Sequence, residues 1–194
     1  MKKSLIVYCL FFLYSNSPAQ EDIQLKLQEI SLNYYFDKPE AGEAQQKMTI
    51  IINDSTGLRE VNELYLLLKK DLLGLISDTN EIKKLTDDLY ELNKTNVKIS
   101  GPFLIGKYKT KLHSSVKELF KSGTLNGWSK FYDKFPNSPG FIILSRFKIS
   151  VTGKFASGYF KYSCGPLCGK GIFLLLEKKN NIWTVVFEKI LCIS

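Results

Sequence analysis

The sequence predicts an α+β fold, with N-terminal helices packed on one face of a C-terminal antiparallel β-meander of about four or more strands. Three observations carry that prediction. Leucine and isoleucine recur at helical spacing between residues 61 and 92. Strand-like segments then fill residues 141–192, and their short links imply antiparallel neighbours. An apolar share of 44% with 13% aromatics is ample for a core and excludes a disordered tail.

The chain opens on Lys2 and Lys3, followed by an apolar run from Leu5 to Tyr14. Ser17 and Ala19 then occupy the small-residue positions that a signal peptidase reads. The run is shorter than the ~20 residues a membrane-spanning helix needs. Residues 1–19 are therefore expected to be a signal peptide cleaved near Ala19, and residues 20–194 a single α+β domain. That domain would be exported to the periplasm or the cell exterior. Cys9 follows bulky Tyr8, not a small residue near the end of the run, which argues against a lipoprotein anchor. No segment of the mature chain is apolar for long enough to be a transmembrane helix.

After the leader, "IQLKL" (23–27) alternates like a strand and "MTIII" (48–52) is β-rich, with a loop-like "DKPEAGEAQQ" between them. Val61, Leu64, Leu68, Leu72 and Leu75 predict a helix, with Ser55 or Thr56 as its cap. Ile82, Leu85, Leu89 and Leu92 predict a second from about Thr79, where Asp78 and Glu81 resemble a capping box. Residues 97–108 read as extended structure broken at Gly101–Pro102. Ser115 and Glu118 box in a short helix that carries Val116, Leu119 and Phe120 and stops at Gly123. Trp128, Phe131, Tyr132 and Phe135 then fall on one helical face, which Pro136 ends. Such a face is either an exposed aromatic surface for stacking a sugar, built on Trp128, Phe131 and Tyr132, or a helix buried on a sheet.

Four strand-like segments follow, connected at Thr152–Gly153, at "CGPLCGKG" (164–171) and at Asn180–Asn181. "IFLLL" (172–176) is apolar on both faces, as suits a central strand covered by helices. The last strand alternates, with Trp183, Val185, Phe187 and Leu191 on one side and Thr184 and Glu188 on the other.

The formal charge of +8 falls to +6 without Lys2 and Lys3, and Arg59 and Arg146 are the only arginines. Scattered lysines read as a solvated face. With so little guanidinium for base and phosphate recognition, and with export expected, nucleic acid is not a partner. Weak attraction to anionic envelope surfaces is compatible with this charge.

Catalytic constellations are scarce. His113, the sole histidine, is expected near the start of the short helix, and no G-x-S-x-G elbow supplies a nucleophile. Asp87–Asp88 and Glu60–Glu63 lie on helix faces that also carry lysines. There is no P-loop and no dinucleotide fingerprint, so no catalytic residue and no cofactor is assigned.

Three cysteines remain after the leader: Cys164, Cys168 and Cys192. Thiol oxidoreductases use C-x-x-C, often at a helix N-terminus; here the spacing is C-x-x-x-C in a strand connection. Copper would need a third soft or imidazole ligand, and zinc four, with only Cys192 and His113 to complete the set. No metal is assigned. In an oxidising compartment a disulfide staple is the leading expectation. Pro166 restricts the loop, while Gly165, Gly169 and Gly171 permit tight or left-handed backbone. If Asn180–Asn181 is a two-residue turn, Lys179 pairs with Ile182 and Cys192 falls opposite Gly169. Folding the preceding hairpin about its glycine loop places Cys164 near Gly171 or Ile172. The three sulfurs then crowd one end of the sheet. A disulfide needs Cα atoms within about 7 Å, so all three pairings stay open.

"GWSKFYDKFPNSPGFIILSRFKIS" (127–150), "CGPLCGKGIFLLLEKKNNIWTVV" (164–186) and the terminal "ILCIS" resemble a group of uncharacterised exported bacterial proteins common in Bacteroidetes. The shared pattern maps to Trp128, Phe131–Tyr132, Pro136, Ser145, Cys164 to Gly171, and Lys178 to Trp183. Where those proteins often end in Trp-Ile-Ser, this chain has Cys192-Ile193-Ser194. The resemblance implies export and a shared fold, and no activity. The expected function is a non-enzymatic exported protein, a binding or cell-envelope accessory. The alternative is a thiol-disulfide or copper-handling protein using Cys164 and Cys168.

Overall fold

The structure is a computed structural model that describes residues 18–37, 48–57, 64–99, 101–106, 108–114 and 116–193. The leader expectation rests largely on residues 1–17, which lie outside that set, as do Val61 and Ser115. The helices are α1 (Pro18–Phe36), α2 (Leu64–Leu72), α3 (Thr79–Asn93), α4 (Val116–Leu119) and α5 (Thr124–Lys134). The strands are β1 (Thr49–Asn53), β2 (Lys109–His113), β3 (Phe141–Leu144), β4 (Lys148–Ile149), β5 (Phe155–Gly165), β6 (Cys168–Lys179) and β7 (Ile182–Ile193). No described helix is long and apolar enough to cross a membrane.

The fold is α+β, with helices packed on a C-terminal antiparallel meander. One seven-stranded sheet runs β2-β1-β3-β5-β6-β7, with β4 paired to β5 alone. The meander from β3 to β7 is antiparallel, whereas β1 is parallel to both β2 and β3.

Helices cover both faces of this sheet, not the single face that the helices-then-strands order suggests. On one face Leu27, Leu32 and Phe36 of α1 bury against Ile50, Ile142, Phe160 and Leu174. On the other, Leu68 and Leu72 of α2 and Leu85 and Leu89 of α3 meet Phe155, Phe173 and Leu175. Beside them Phe131 of α5 and Phe135 at its C-cap meet Ile51 and Phe141. The "IFLLL" run of β6 serves both layers, with Ile172, Leu174 and Leu176 toward α1 and Phe173 and Leu175 toward α2 and α3.

"IQLKL" is helical, not a strand. Its buried stripe includes two polar residues, Gln28 and Ser31, so an apolar pattern alone does not reveal the helical period. Asp78 caps α3, its Oδ1 accepting from the Asn80 N–H at 2.8 Å. Glu81 instead accepts from the Thr152 hydroxyl at 2.7 Å, so the capping box is not closed. The segment that Ser55 or Thr56 would cap, residues 58–63, lies outside the described residues; Ser55 itself bridges Lys98, and Thr56 exchanges hydrogen bonds with Val97. His113 ends β2 three residues before α4, near the helix start as expected, and its ring packs edge-on against Phe135. Burial and then the nearby Lys134 and Lys111 lower its pKa.

Asn180 and Asn181 form the expected two-residue turn, both at positive φ, as a type I′ hairpin requires. Beyond it β7 departs from simple alternation. Pairing runs cleanly from Lys179↔Ile182 to Leu176↔Val185, then shifts between Leu175 and Leu176 and again between Gly171 and Ile172. A bulge turns the following side chains to the opposite face. Trp183 and Val185 therefore pack on the α1 side, and Phe187 and Leu191 on the α2–α3 side.

Candidate functional site

The sequence marks three places: the cysteine loop, the aromatic helix and the lone histidine. At the cysteine loop Gly165 pairs with Cys168, leaving Pro166–Leu167 as the turn and Cys164 as the residue bulged between Ser163 and Gly165. Cys164 thus stands opposite Cys168, not near Gly171 or Ile172. The two are disulfide-bonded with Cα atoms 5.0 Å apart, and Cys192 is a free thiol. The two β7 bulges carry Cys192 along the strand to pair with Gly171, not Gly169, so it lies further from the staple than an unbroken register implies.

The left-handed glycines lie elsewhere, and neither Gly165 nor Gly171 is among them. Gly171 is required for space: a Cβ there would overlap the Tyr159 hydroxyl and the Cys192 sulfur. Among the described residues no three His, Cys, Asp or Glu side chains gather where a metal ion could be held.

The aromatic helix is packed inward. Trp128 and Phe131 are buried in the α5 cluster against Phe141. Tyr132 alone of the three reaches solvent, and its hydroxyl donates to the Cys164 carbonyl at 2.8 Å. The stacked face is core, and its one polar tip pins the disulfide turn.

A fourth place is not signalled by any sequence motif. Between β3 and β4, Ser145, Arg146 and Phe147 oppose only Gly158 and Tyr159 of β5, a bulge bounded by the pairs Leu144↔Phe160 and Lys148↔Ser157. Ser145 locks one side: its N–H donates to the Tyr159 carbonyl at 2.8 Å, and its Oγ accepts from the Tyr159 N–H at 2.9 Å. Phe147 lies on Gly158, whose hypothetical Cβ would overlap the ring.

The rest of the bulge backbone is held by side chains from opposite layers. Asn93 of α3 accepts from the Arg146 N–H at 2.7 Å and donates to the Arg146 carbonyl at 3.0 Å. Gln24 of α1 makes the same reciprocal pair with Phe147, at 2.7 and 2.8 Å. Gln28 donates to the Ser145 carbonyl at 2.9 Å. Buried main-chain polar groups must be paired, and here three carboxamides do what a neighbouring strand does elsewhere in the sheet.

Since β4 pairs only with β5, its other edge opens onto a cleft of about 470 Å³ between α1 and residues 97–99. Its walls are largely aliphatic, including Ile23, Leu25, Val97, Ile99 and Ile149, with Phe147 the only aromatic lining residue. Its charged lining residues are Glu21, Lys98, Arg146 and Lys148. Lys148 is paired to Asp88 at 2.9 Å. Against the pull of burial, hydrogen bonds from Lys148 and Lys84 keep the Asp88 carboxyl below its ordinary pKa.

Arg146 is different. Its Nη2 reaches the Thr95 carbonyl and hydroxyl at 3.3 Å, while its Nε is buried with no hydrogen-bond partner. No carboxylate among the described residues pairs with it. Burial lowers its pKa from the usual guanidinium value. The sequence signal for this site was present but thin: one of only two arginines, set in a strand among apolar residues. No protein-family model matches the chain, and no curated protein or solved structure matches it either.

Proposed function

We propose that this chain is an exported, non-enzymatic α+β domain that binds an anionic ligand in the cleft beside the Arg146 bulge. The observation that carries the reading is the unbalanced guanidinium, held at an aliphatic-walled cleft by a backbone that helices grip from both sides of the sheet. Withdrawing a cation from water without a counter-charge costs stability, and a ligand that supplies the charge recovers it. Export rests on the lysine head, apolar run and small-residue tail of residues 1–19.

Thermal denaturation with acetate, benzoate and inorganic phosphate tests the binding reading. The wild-type protein is expected to gain stability with anion concentration, and Arg146→Gln to lose that response while keeping its ligand-free stability. An anion response equal in both proteins, or absent from both, overturns it.

The exposure of Cys168 on the hairpin tip favours a second reading, a thiol-disulfide or copper-handling role for Cys164 and Cys168. Reversible reduction at a mild potential, or stoichiometric Cu(I) uptake, supports that role. A Cys164→Ser, Cys168→Ser protein altered in stability alone removes it.

A further inference from the structure

We infer that the ligand of this cleft is a single-chain anionic amphiphile, an alkyl carboxylate or alkyl phosphate, with its head on Arg146 and Lys98 and its chain along α1. The inference rests on the anion-binding reading and names the ligand class. From Gln20 to Gln28 the cleft follows about 12 Å of helix at ~1.5 Å per residue. Its volume is within the ~300–1,000 Å³ of small-molecule sites.

Charge gives the cleft a direction. Gln28 reaches Ser145 and Gln24 reaches Phe147, so each turn toward the start of α1 advances along the strand toward Ile149. Glu21 therefore belongs to the Ile149 end, where the nearby lining cation, Lys148, is already paired to Asp88. Arg146 reaches Thr95, and the next residue, Asn96, lies beside Gly57, whose N–H donates to the Leu144 carbonyl, so Arg146 and Lys98 sit toward the other end. Among the described residues Lys98 makes no ion pair and Arg146 none with a carboxylate, so neither charge is neutralised there.

Polar recognition of a sugar or peptide has little to work with. The carboxamides of Gln24 and Gln28 are committed to the bulge backbone. The single aromatic wall, Phe147, is packed on Gly158. What the walls offer is aliphatic surface, which recognises a chain by burying it, roughly fourfold in affinity per methylene.

Calorimetric titration of the processed protein with monomeric acetate, hexanoate, octanoate and decanoate tests this. Affinity is expected to rise about three- to fourfold per methylene and to fall about tenfold or more in Arg146→Gln. Lys98→Gln, an exposed substitution, is expected to weaken binding less. Because Asn93 holds the main chain of residue 146 and not its guanidinium, Arg146→Gln retains the bulge.

Phosphatidylcholine vesicles doped with lysophosphatidic acid, a single-chain phosphate amphiphile, separate two sources of the same chemistry. Vesicle capture that Arg146→Gln abolishes points to a lipid head, and monomer binding without vesicle capture points to a free amphiphile. If octanoate and decanoate bind no tighter than acetate while acetate still depends on Arg146, the amphiphile is wrong and the anion site stands. If no anion distinguishes wild type from Arg146→Gln, both fall.

Discussion

Gly171 shows how a residue's need can be legible while its reason is not. The sequence places it in a glycine-rich turn, yet it lies within β6 and needs room, not unusual backbone angles. Tyr159 and Cys192 close over it from the two flanking strands, and their positions depend on a register that local sequence does not disclose. Gly171→Ala is expected to cost about 1–3 kcal/mol in urea denaturation, and adding Cys192→Ala should recover part of that loss. If the double variant is no more stable than the single, the sulfur is not the obstruction. Asn93 makes a similar case. It reads as the last polar residue of a helix, but its carboxamide satisfies both main-chain groups of Arg146. Asn93→Ala is expected to cost about 1–3 kcal/mol, because the Arg146 N–H loses its partner while its carbonyl keeps only the Ser145 hydroxyl. A cost below about 0.5 kcal/mol would mean that water replaces the amide freely.

Elements with strong periodicity were the most legible. The α3 stripe, the α5 aromatic face and the Asn180–Asn181 turn all occur where spacing and turn chemistry put them. The bulges did not announce themselves, because a bulge answers to packing across the sheet and leaves composition unchanged. That is why Phe187 and Leu191 changed face and why Cys192 moved from Gly169 to Gly171. At the far end of the meander, Glu177 pairs along β6 with Lys179 at 2.8 Å and across to Lys154, just before β5, at 3.3 Å. The Lys179 hydrogen bond, aided by Lys154 and opposed by burial, keeps the Glu177 pKa below its ordinary value. A carboxyl with a depressed folded-state pKa contributes stability above its unfolded pKa of ~4.3 and loses it as pH falls through the folded value. The wild-type melting temperature should therefore drop more steeply below about pH 4 than that of Glu177→Gln, and parallel acid limbs would exclude the linkage. At the other end, removing the Cys164–Cys168 staple should cost about 2 kcal/mol by chain-entropy reasoning for so short a loop, read as a shift in the denaturation midpoint.

At the scale of the molecule, the α+β class was legible from the order of elements, but the third layer was not. That layer is α1, whose buried face mixes Leu27, Leu32 and Phe36 with Gln28 and Ser31. The polar pair is there because α1 must satisfy backbone as well as bury carbon: Gln28 reaches Ser145, and Ser31 bonds back to the Leu27 carbonyl. A chain begun at Gln20 should fold, since it loses only the first residues of α1. A chain begun at Asp37 should bind a hydrophobic dye and lose cooperative melting, because the core that Leu27, Leu32 and Phe36 cover is opened. Retention of a sharp transition in that shorter chain would show that α1 is dispensable. The bulge, finally, doubles as a pair of gauges. The Arg146 amide proton is held by Asn93 of α3 and the adjacent Phe147 amide proton by Gln24 of α1. Two neighbouring protons thus report separately on the two helical layers. In native-state hydrogen exchange, conditions that loosen only α1 should release Phe147 first and leave Arg146 protected, so the order of exchange reads which layer of the protein opens first.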